Sequence, residues 1–256
     1  MSEQIEKDKI EKDKIYNCDC LEGMKHIPNA SIDAIICDLP YGTTACAWDS
    51  VIPFDQLWEQ YKRIIKPHGA IVLTAREPFT SMLVMSNIEN YKHKWVWNKK
   101  QSGSFFNAKL MPLQIEEDVL VFCFGGKVNY YPIMRKGEYR LKGQQSKETQ
   151  WVKGLNVSEG CYNDDYYPTN ILEYPNCQNK GENIHPTQKP VDLLRYLIRT
   201  YSNEGDTILD NCMGSGTTAV ACIKEKRHFI GFELNKDYYD KACRRIDAER
   251  RQLSLF

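Results

Sequence analysis

The sequence predicts an α/β fold with a mostly parallel sheet and helices on both faces. Short apolar runs typical of buried strands, at residues 32–37 and 70–74, alternate with segments whose apolar residues recur at helical spacing, such as the one that begins at Phe54. Strands that alternate with helices favour a parallel sheet, because each helix returns the chain to the edge where the previous strand began.

The composition limits the class of protein. The chain has 256 residues and a formal net charge of zero. It is long enough for one large α/β domain with an insertion or for two small domains, and it can bind a nucleic acid only through local charge. Its ten cysteines include no C-x-x-C pair, which favours buried free thiols over disulfides or a metal site. No signal peptide or run of about eighteen apolar residues occurs, so we expect a soluble cytoplasmic protein without a membrane partner.

Residues 1–125 contain a charged tail followed by five predicted strands. The tail, residues 1–14, repeats Ile-Glu-Lys-Asp-Lys and is expected to be solvated. Helices are expected between the strands, and Pro67-His68-Gly69 is expected to end the helix that begins at Phe54. The predicted strands cover residues 15–19, 32–37, 70–74, 93–98 and 119–124.

The periodic pattern is interrupted between residues 126 and 184. This segment is rich in Tyr and Gly and its early part is basic, so we interpret it as an inserted module that contacts the substrate. Residues 185–256 resume the alternation, with strands at 207–210 and 228–233, a helix opened by Pro190 and a last helix capped by Asn235. A solvated face is the alternative interpretation of the insertion's basic residues, which include Lys127, Arg135, Lys136, Arg140 and Lys142.

The sequence Asp38-Leu39-Pro40-Tyr41 follows a predicted buried strand and is the first candidate site. The Asp38 carboxylate accepts hydrogen bonds. Pro40 holds Leu39 extended, so that the Leu39 carbonyl is a second fixed acceptor, and Tyr41 offers a flat face for stacking. Two acceptors beside an aromatic ring suit a planar heterocycle with an exocyclic NH2, such as adenine or cytosine. An ordinary strand end with a proline turn is the alternative.

The segment from Asp210 to Ala219, here called the glycine loop, is the second candidate site. It joins a predicted strand to a predicted helix, and Gly214 and Gly216 allow the backbone to approach a ligand closely. Glu233 lies at the end of the next strand, where its carboxylate can accept hydrogen bonds from both hydroxyls of a ribose. The pattern favours a nucleoside cofactor without separating a dinucleotide from another adenosine-containing cofactor. A plain tight turn is the alternative.

These two motifs, together with His185-Pro186-Thr187-Gln188-Lys189-Pro190, resemble the DNA amino-methyltransferases that use S-adenosylmethionine (SAM). The order of the motifs, with the Asp38 motif first and the glycine loop last, is similar to the β class of that family. The resemblance implies a Rossmann-like methyltransferase fold with a mostly parallel seven-stranded sheet. It also implies four regions: the tail at 1–14, a catalytic half at 15–125, a target-recognition insertion at 126–184 and a cofactor-binding half at 185–256.

The resemblance implies roles for individual residues. Asp38 and the Leu39 carbonyl would hold the target amino group, and Tyr41 would stack on the base. Two positions depart from the family, because Leu39 replaces the usual first proline and Cys212 stands where Phe is usual. DNA would be held by the basic residues of the insertion, and the cofactor by Asp19, His185, Thr187, Lys189, Asp210, Gly214, Ser215, Gly216, Thr217 and Glu233.

The activity implied by the resemblance is transfer of a methyl group from SAM to the N6 amino group of adenine in double-stranded DNA, with the base flipped out of the helix. Four alternatives stay open: methylation of cytosine N4, a release-factor-type glutamine methyltransferase, a catalytically silent DNA-binding or partner subunit, and a dehydrogenase. In the family, an acid at position 38 usually accompanies adenine and Ser accompanies cytosine, while Asn marks the glutamine enzymes. Double-stranded DNA is the expected partner, and the resemblance leaves open a homodimer and a cognate restriction endonuclease.

Overall fold

The computed structural model describes residues 10–42, 50–102, 105–142, 161–176 and 188–253. Strands and helices alternate over residues 14–98 and 191–253, as the sequence predicts, whereas the described residues from 116 to 173 form strands without an α-helix. The chain divides into two compact units, a larger one of Met1–Tyr131 with Asn170–Phe256 and a smaller one of Pro132–Thr169. None of the described helices is long and apolar enough to cross a membrane.

The described residues form ten strands and six α-helices. The strands are β1 (Lys14–Tyr16), β2 (Ile32–Asp38), β3 (Ile65–Ala75), β4 (Tyr91–Asn98), β5 (Glu116–Phe122), β6 (Arg135–Lys142), β7 (Cys161–Tyr166), β8 (Ile171–Glu173), β9 (Thr207–Asp210) and β10 (His228–Phe232). The helices are α1 (Cys20–Met24), α2 (Phe54–Ile64), α3 (Phe79–Ser86), α4 (Val191–Tyr201), α5 (Thr217–Lys224) and α6 (Lys236–Leu253).

Local sequence explains where several helices begin. The Asp19 carboxylate caps α1 by accepting hydrogen bonds from the N–H groups of Leu21 at 2.9 Å and Glu22 at 3.1 Å. Asn235 caps α6 in the same way, as predicted. Pro190 directly precedes α4, where its missing N–H leaves no helical hydrogen bond unmade.

The larger unit contains one sheet of eight strands in the order β1-β10-β9-β2-β3-β5-β4-β8. Neighbours from β1 to β3 are parallel, whereas β5 runs antiparallel to both β3 and β4. The chain passes from β2 to β3 in one direction across the sheet and from β9 to β10 in the other. β2 and β9 therefore flank a topological switch point, and in open α/β sheets the ligand crevice lies there, at the carboxyl ends of the strands.

Helices cover both faces of this sheet, and β2 shows how the core is divided. Ala34 and Ile36 pack in one apolar cluster with α4 and α5, while Ile35 and Cys37 pack in a second cluster with α2 and α3. Successive side chains of a strand point to opposite faces, so a strand buried on both faces is apolar throughout. This burial explains the run of apolar residues from Ala34 to Cys37, part of the pattern that predicts β2 in the sequence.

An eighth strand in the sheet corrects the predicted number of seven. All seven strands predicted from the sequence are present, and the additional strand is β8, which pairs in parallel with β4 through Val96 and Ile171. β8 has three residues with the burial pattern exposed, buried, exposed. A strand of this length has too few alternating residues to produce a periodic signal, and it lies inside the segment interpreted as an insertion.

The expectation that Pro67-His68-Gly69 ends α2 is wrong. The helix ends at Ile64, and these residues belong to β3, which begins directly at Ile65. The register with β2 shifts here, because Ile65 pairs with Ile32 and Ala70 pairs with Ala34. Pro67 thus lies in an irregularity of the strand, one of the positions at which a sheet tolerates a residue without an N–H group.

The smaller unit contains β6 and β7, which pair in antiparallel orientation with an irregularity between Lys136 and Arg140. The rings of Tyr139 and Tyr162 stack across the pair, with centroids 5.8 Å apart and planes inclined by 26°. This unit is shorter than the insertion predicted at 126–184, because residues 126–131 and β8 belong to the larger unit.

Candidate active site

A cavity of about 740 Å³ lies at the carboxyl ends of the central strands. Its wall includes Asp38 at the end of β2, the beginning of the glycine loop after β9, and Glu233 after β10. The cavity therefore lies at the switch point between β2 and β9. It brings the two candidate motifs of the sequence into one space.

Both oxygens of the Asp38 carboxylate accept hydrogen bonds from side chains. Oδ1 accepts the hydroxyl of Tyr41 at 2.9 Å and the hydroxyl of Thr74, and Oδ2 accepts the ammonium of Lys189 at 2.6 Å. Thr74 reaches Asp38 because the two residues pair across β2 and β3. The Asp38 side chain is 28% exposed, so it remains open to a ligand in the cavity.

Tyr41 is held through both its hydroxyl and its ring. The hydroxyl also lies 3.0 Å from Thr74 Oγ1, and the ring stacks on Phe79 with centroids 5.2 Å apart and planes inclined by 26°. Burial, followed by the charges of Asp38 and Glu117, raises the pKa of Tyr41 well above its ordinary value. The phenol therefore stays protonated and donates to the Asp38 carboxylate.

Leu39 and Pro40 form the cavity wall next to Asp38. The Leu39 side chain is buried in the apolar cluster that contains α2 and α3. An apolar side chain is stable there, which explains how leucine can replace the proline usual at this position. That the Leu39 carbonyl accepts a hydrogen bond from the target amino group stays a prediction.

Lys189 lies between two carboxylates. Its Nζ is 2.6 Å from Asp38 Oδ2 and 3.4 Å from Glu117 Oε2, and its side chain is 8% exposed. Burial is the largest influence and lowers the pKa of Lys189, but the two carboxylates outweigh it and the pKa lies above its ordinary value. Lys189 is therefore charged and bound to Asp38, and the cofactor contact predicted for it stays a prediction.

A second lysine, Lys99, binds the other carboxylate oxygen of Glu117. Lys99 Nζ donates to Glu117 Oε1 at 3.0 Å. The ring of Trp97 lies beside both ammonium groups, 6.0 Å from Lys99 Nζ and 5.9 Å from Lys189 Nζ. An aromatic ring attracts a cation at this distance, so Trp97 stabilises both charges.

The Asp210 carboxylate, at the start of the glycine loop, accepts two hydrogen bonds from that loop. Asp210 Oδ1 accepts the Cys212 N–H at 3.0 Å, and Oδ2 accepts the Thr218 hydroxyl at 2.5 Å. Burial raises the pKa of Asp210 to about 6, although these hydrogen bonds oppose the shift. Gly214 and Gly216 have φ values of 52° and 75°, which glycine adopts without the strain that a side chain would cause.

Ser215 and Thr217 are buried at the beginning of α5. Their hydroxyls lie 2.9 Å apart, and Arg245 of α6 donates to Thr217 Oγ1 at 2.9 Å and to the Ser215 carbonyl at 3.0 Å. These contacts fix the turn into α5. Contacts of Ser215 and Thr217 with a cofactor stay predictions.

Glu233 connects the end of β10 to the glycine loop. Its Oε2 accepts the Gly214 N–H at 2.7 Å, and its Oε1 accepts the Asn235 N–H at 2.8 Å. Burial raises the pKa of Glu233, while the two N–H groups oppose that shift. Each carboxylate oxygen has a second lone pair, so Glu233 can still accept hydrogen bonds from a ligand.

The remaining cofactor candidates differ in how far the structure describes them. Asp19 lines the cavity while its Oδ1 caps α1. His185 and Thr187 lie outside the described residues. The structure therefore adds Asp19 to the cavity wall and leaves the other two roles as predictions.

The basic residues predicted to contact DNA are divided between the two units. Lys127 is exposed in the larger unit, and the other four lie on β6 of the smaller unit. Lys136 forms ion pairs of 2.9 Å with two aspartates of β7, while Arg140 packs over the Tyr166 ring at 5.0 Å. Their contact with DNA stays a prediction.

Sequence reasoning missed Thr74, Lys99 and Glu117. Thr74 could have been found, because it ends a predicted strand, and parallel neighbours end at the same edge of a sheet. Glu117 lies near the beginning of β5 and reaches the cavity only because β5 is antiparallel to β3. The sequence carries no signal for that strand direction, nor for the partner of Lys99.

Comparison with known proteins gives the family. A sequence model described as DNA methylase matches residues 32–244. The chain is 28% identical to the type II methyltransferase M.HpaI of Haemophilus parainfluenzae, over 90% of this chain and 72% of that protein. It is 29% identical to the DNA adenine methyltransferase YhdJ of Escherichia coli (strain K12), over 91% of this chain and 82% of that protein.

Solved structures agree with this family. The crystal structure of the M1.HpyAVI–SAM complex has 25% sequence identity and a TM-score of 0.62, covering 91% of this chain and 98% of that chain. PvuII DNA methyltransferase, which is cytosine-N4-specific, has 16% identity and a TM-score of 0.67, covering 95% and 93%, and shows the common fold. Because the family match extends over most of the sequence, this chain belongs to the DNA methylase family.

Proposed function

We propose that this chain transfers a methyl group from SAM to the N6 amino group of adenine in double-stranded DNA. The observation that carries the proposal is that one cavity contains both Asp38 with Tyr41 and the glycine loop with Glu233. The family supports a DNA substrate. M1.HpyAVI binds SAM, and YhdJ is a DNA adenine methyltransferase.

The residues of the cavity fit SAM. SAM carries a positive sulfonium and a positive ammonium group, and the cavity wall contains the carboxylates of Asp19, Asp210 and Glu233. A cavity of about 740 Å³ is within the range of roughly 300–1,000 Å³ that holds small molecules. When bound, SAM supplies an activated methyl group.

Asp38 and the Leu39 carbonyl orient the amino group that accepts the methyl group. This nitrogen is a poor nucleophile, because its lone pair is delocalised into the adenine ring. Hydrogen bonds from its two N–H groups to Asp38 and to the Leu39 carbonyl favour a tetrahedral nitrogen and direct its lone pair. The protein thus acts mainly through positioning and electrostatics.

Tyr41 stabilises the target base outside the double helix. The amino group of a paired adenine is inaccessible to the Asp38 carboxylate, so the base is flipped into the cavity at a cost of about a few kcal/mol. Stacking on Tyr41 offsets part of this cost. The Phe79 ring packs against Tyr41 and keeps that platform rigid.

We assign target recognition to residues 126–184. The smaller unit within this segment exposes Arg135, Arg140 and the aromatic side chains of Tyr139 and Tyr162, and a two-stranded ribbon fits the major groove of DNA. Exchanging the segment with that of a related enzyme should move the methylated sequence and leave the modified base unchanged. A folded hybrid that still modifies the original sequence would contradict the assignment.

Analysis of DNA from cells that express the chain tests the function as a whole. Mass spectrometry of the nucleosides should detect N6-methyladenine, and sequencing that detects modified bases should locate it in one recognition sequence. DNA from cells that express Asp38→Ala is the control. N4-methylcytosine would contradict the assigned base, and neither product would contradict the function. A cytoplasmic location, a homodimer and a cognate endonuclease stay predictions.

A further inference from the structure

Four charged side chains form a line that begins at Asp38. Lys189 Nζ lies 2.6 Å from Asp38 Oδ2 and 3.4 Å from Glu117 Oε2, and Lys99 Nζ lies 3.0 Å from Glu117 Oε1. The side chains of Lys99 and Lys189 are each 8% exposed, and that of Glu117 is 13% exposed. Two carboxylates and two ammonium groups therefore alternate in a largely buried line.

In the Asp38 carboxylate, only Oδ2 has a lone pair left for a further donor. Its Oδ1 already accepts the hydroxyls of Tyr41 and Thr74, which occupy the two lone pairs of that oxygen. An amino group entering the cavity must therefore bond Oδ2, where Lys189 is bound. While the ammonium stays there, it also neutralises the charge that attracts the amino group.

Glu117 has an oxygen that can receive the displaced ammonium. Its Oε2 is buried and accepts no hydrogen bond from the residues that the structure describes. The distance of 3.4 Å between Glu117 Oε2 and Lys189 Nζ is longer than that of an ordinary N–H···O hydrogen bond. Since an unsatisfied buried acceptor is unfavourable, this oxygen attracts the ammonium.

We propose that Lys189 moves from Asp38 to Glu117 when the target amino group binds, so that both are positioning residues for methyl transfer. The exchange leaves no ammonium buried without a carboxylate, which would be strongly unfavourable. Lys99 holds the other oxygen of Glu117. The Trp97 ring lies 5.9 Å from Lys189 Nζ and supports the charge as it moves.

The inference rests on the proposed DNA methyltransferase function, so methylation by the wild-type chain is the first arm of the test. Glu117→Gln removes the charge that receives Lys189 while keeping the side-chain shape. We expect the single-turnover rate at saturating SAM and DNA to fall about 10- to 150-fold, the scale of a charged hydrogen bond, with unchanged SAM affinity. The matched control is Glu116→Gln, which changes an exposed glutamate of the same strand and should keep the wild-type rate.

Two further measurements separate this exchange from a merely structural role. In the presence of S-adenosylhomocysteine, Glu117→Gln should weaken binding of a duplex with adenine at the target position, but not of one with purine, which lacks the amino group. Lys189→Met in the Glu117→Gln background should restore part of the rate, because nothing then occupies Asp38 Oδ2. Should Glu117→Gln not fold, Glu117→Asp retracts the carboxylate and should show a smaller loss of the same kind.

The outcomes distinguish the inference from the function on which it rests. If the wild-type chain methylates DNA while Glu117→Gln is as fast as Glu116→Gln, the exchange is wrong and the function stands. The exchange is also wrong if Glu117→Gln weakens binding of the adenine and purine duplexes equally. It is likewise wrong if the double variant transfers methyl groups no faster than Glu117→Gln, or if a folded Glu117→Asp variant has the wild-type rate. If the wild-type chain transfers no methyl group to DNA, both fail.

Discussion

The strands β2 and β9 each end in an aspartate at the same cavity, yet the two carboxylates are held differently. Asp210 accepts hydrogen bonds from groups two and eight residues further along the chain. Asp38 accepts them from Tyr41, three residues away, but also from Thr74 and Lys189, which are 36 and 151 residues away. The first carboxylate is thus held mainly by its own loop, while distant segments complete the second site.

This difference suits the ends of β2 and β9 to different roles. A carboxylate bonded within its own loop keeps its partners when a ligand enters, so it can serve as a fixed part of a cofactor site. A carboxylate shared with side chains from other elements can exchange one partner for another through a small movement. Substitutions at the end of β2 should therefore cause loss of methyl transfer, whereas substitutions at the ends of β9 and β10 should weaken SAM binding.

The largest expected effect is that of Asp38→Ala. Removing the carboxylate that orients the amino group should lower the rate of methyl transfer by about 10³-fold or more, because the lost interaction acts in the transition state. SAM affinity should stay close to that of the wild type, since Asp210 and Glu233 are untouched. Single-turnover transfer from labelled SAM and calorimetric SAM binding measure the two quantities.

Asp38→Asn is the matched variant for this prediction. Its amide oxygen can still accept one hydrogen bond, so it should be faster than Asp38→Ala and slower than the wild type. If Asp38→Ala transfers methyl groups at close to the wild-type rate, the end of β2 is a structural turn. The proposed division of tasks between β2 and β9 would then be wrong.

The next effect in size concerns Glu233 at the cofactor end. Glu233→Ala should weaken SAM binding by about 1.5–3 kcal/mol, the scale of hydrogen bonds to a charged group. At saturating SAM the single-turnover rate should recover, which Asp38→Ala cannot do. Glu204→Ala, which removes an exposed glutamate, is the control. Unchanged SAM affinity in a folded Glu233→Ala variant would show that Glu233 does not contribute to SAM binding.

The same contrast explains how much of the molecule the sequence predicts. The Asp210 carboxylate is held mainly by residues close to it in the chain, and the observed bounds of β9 are those predicted, 207–210. The contact between Asp38 and Lys189 spans 151 residues, and no local pattern indicates it. β8 is missed for the same reason. Its single buried side chain, Leu172, forms no local pattern, and only the pairing with β4 identifies the segment as a strand.

A smaller effect is expected from pH at the cofactor end. Burial raises the pKa of Asp210 to about 6, so this carboxyl begins to be protonated as the pH falls towards 6. The cationic groups of SAM favour the ionised form, so binding releases a proton and SAM affinity should decrease below about pH 6, by up to about tenfold per pH unit. The raised pKa of Glu233 acts in the same direction.

Calorimetric titration with SAM between pH 5 and 8 measures this dependence. Asp210→Asn cannot ionise, so its SAM affinity should be lower at pH 8 and should change less between pH 5 and 8. A wild-type affinity that stays constant over this range would show that the charge of Asp210 does not contribute to SAM binding.

The smallest expected effect is that of Tyr41→Phe at the catalytic end. The Tyr41 hydroxyl donates to Asp38 Oδ1 at 2.9 Å, but the Thr74 hydroxyl also donates to that oxygen and remains in the variant. The loss should be that of one hydrogen bond, about 0.5–1.5 kcal/mol, or roughly twofold to tenfold in the single-turnover rate. Tyr41→Ala should cost much more, because it also removes the ring that packs on Phe79 and on which the flipped base would stack. Equal rates for the two variants would mean that the base does not use this ring, and the hydroxyl alone would then link Tyr41 to the chemistry at Asp38.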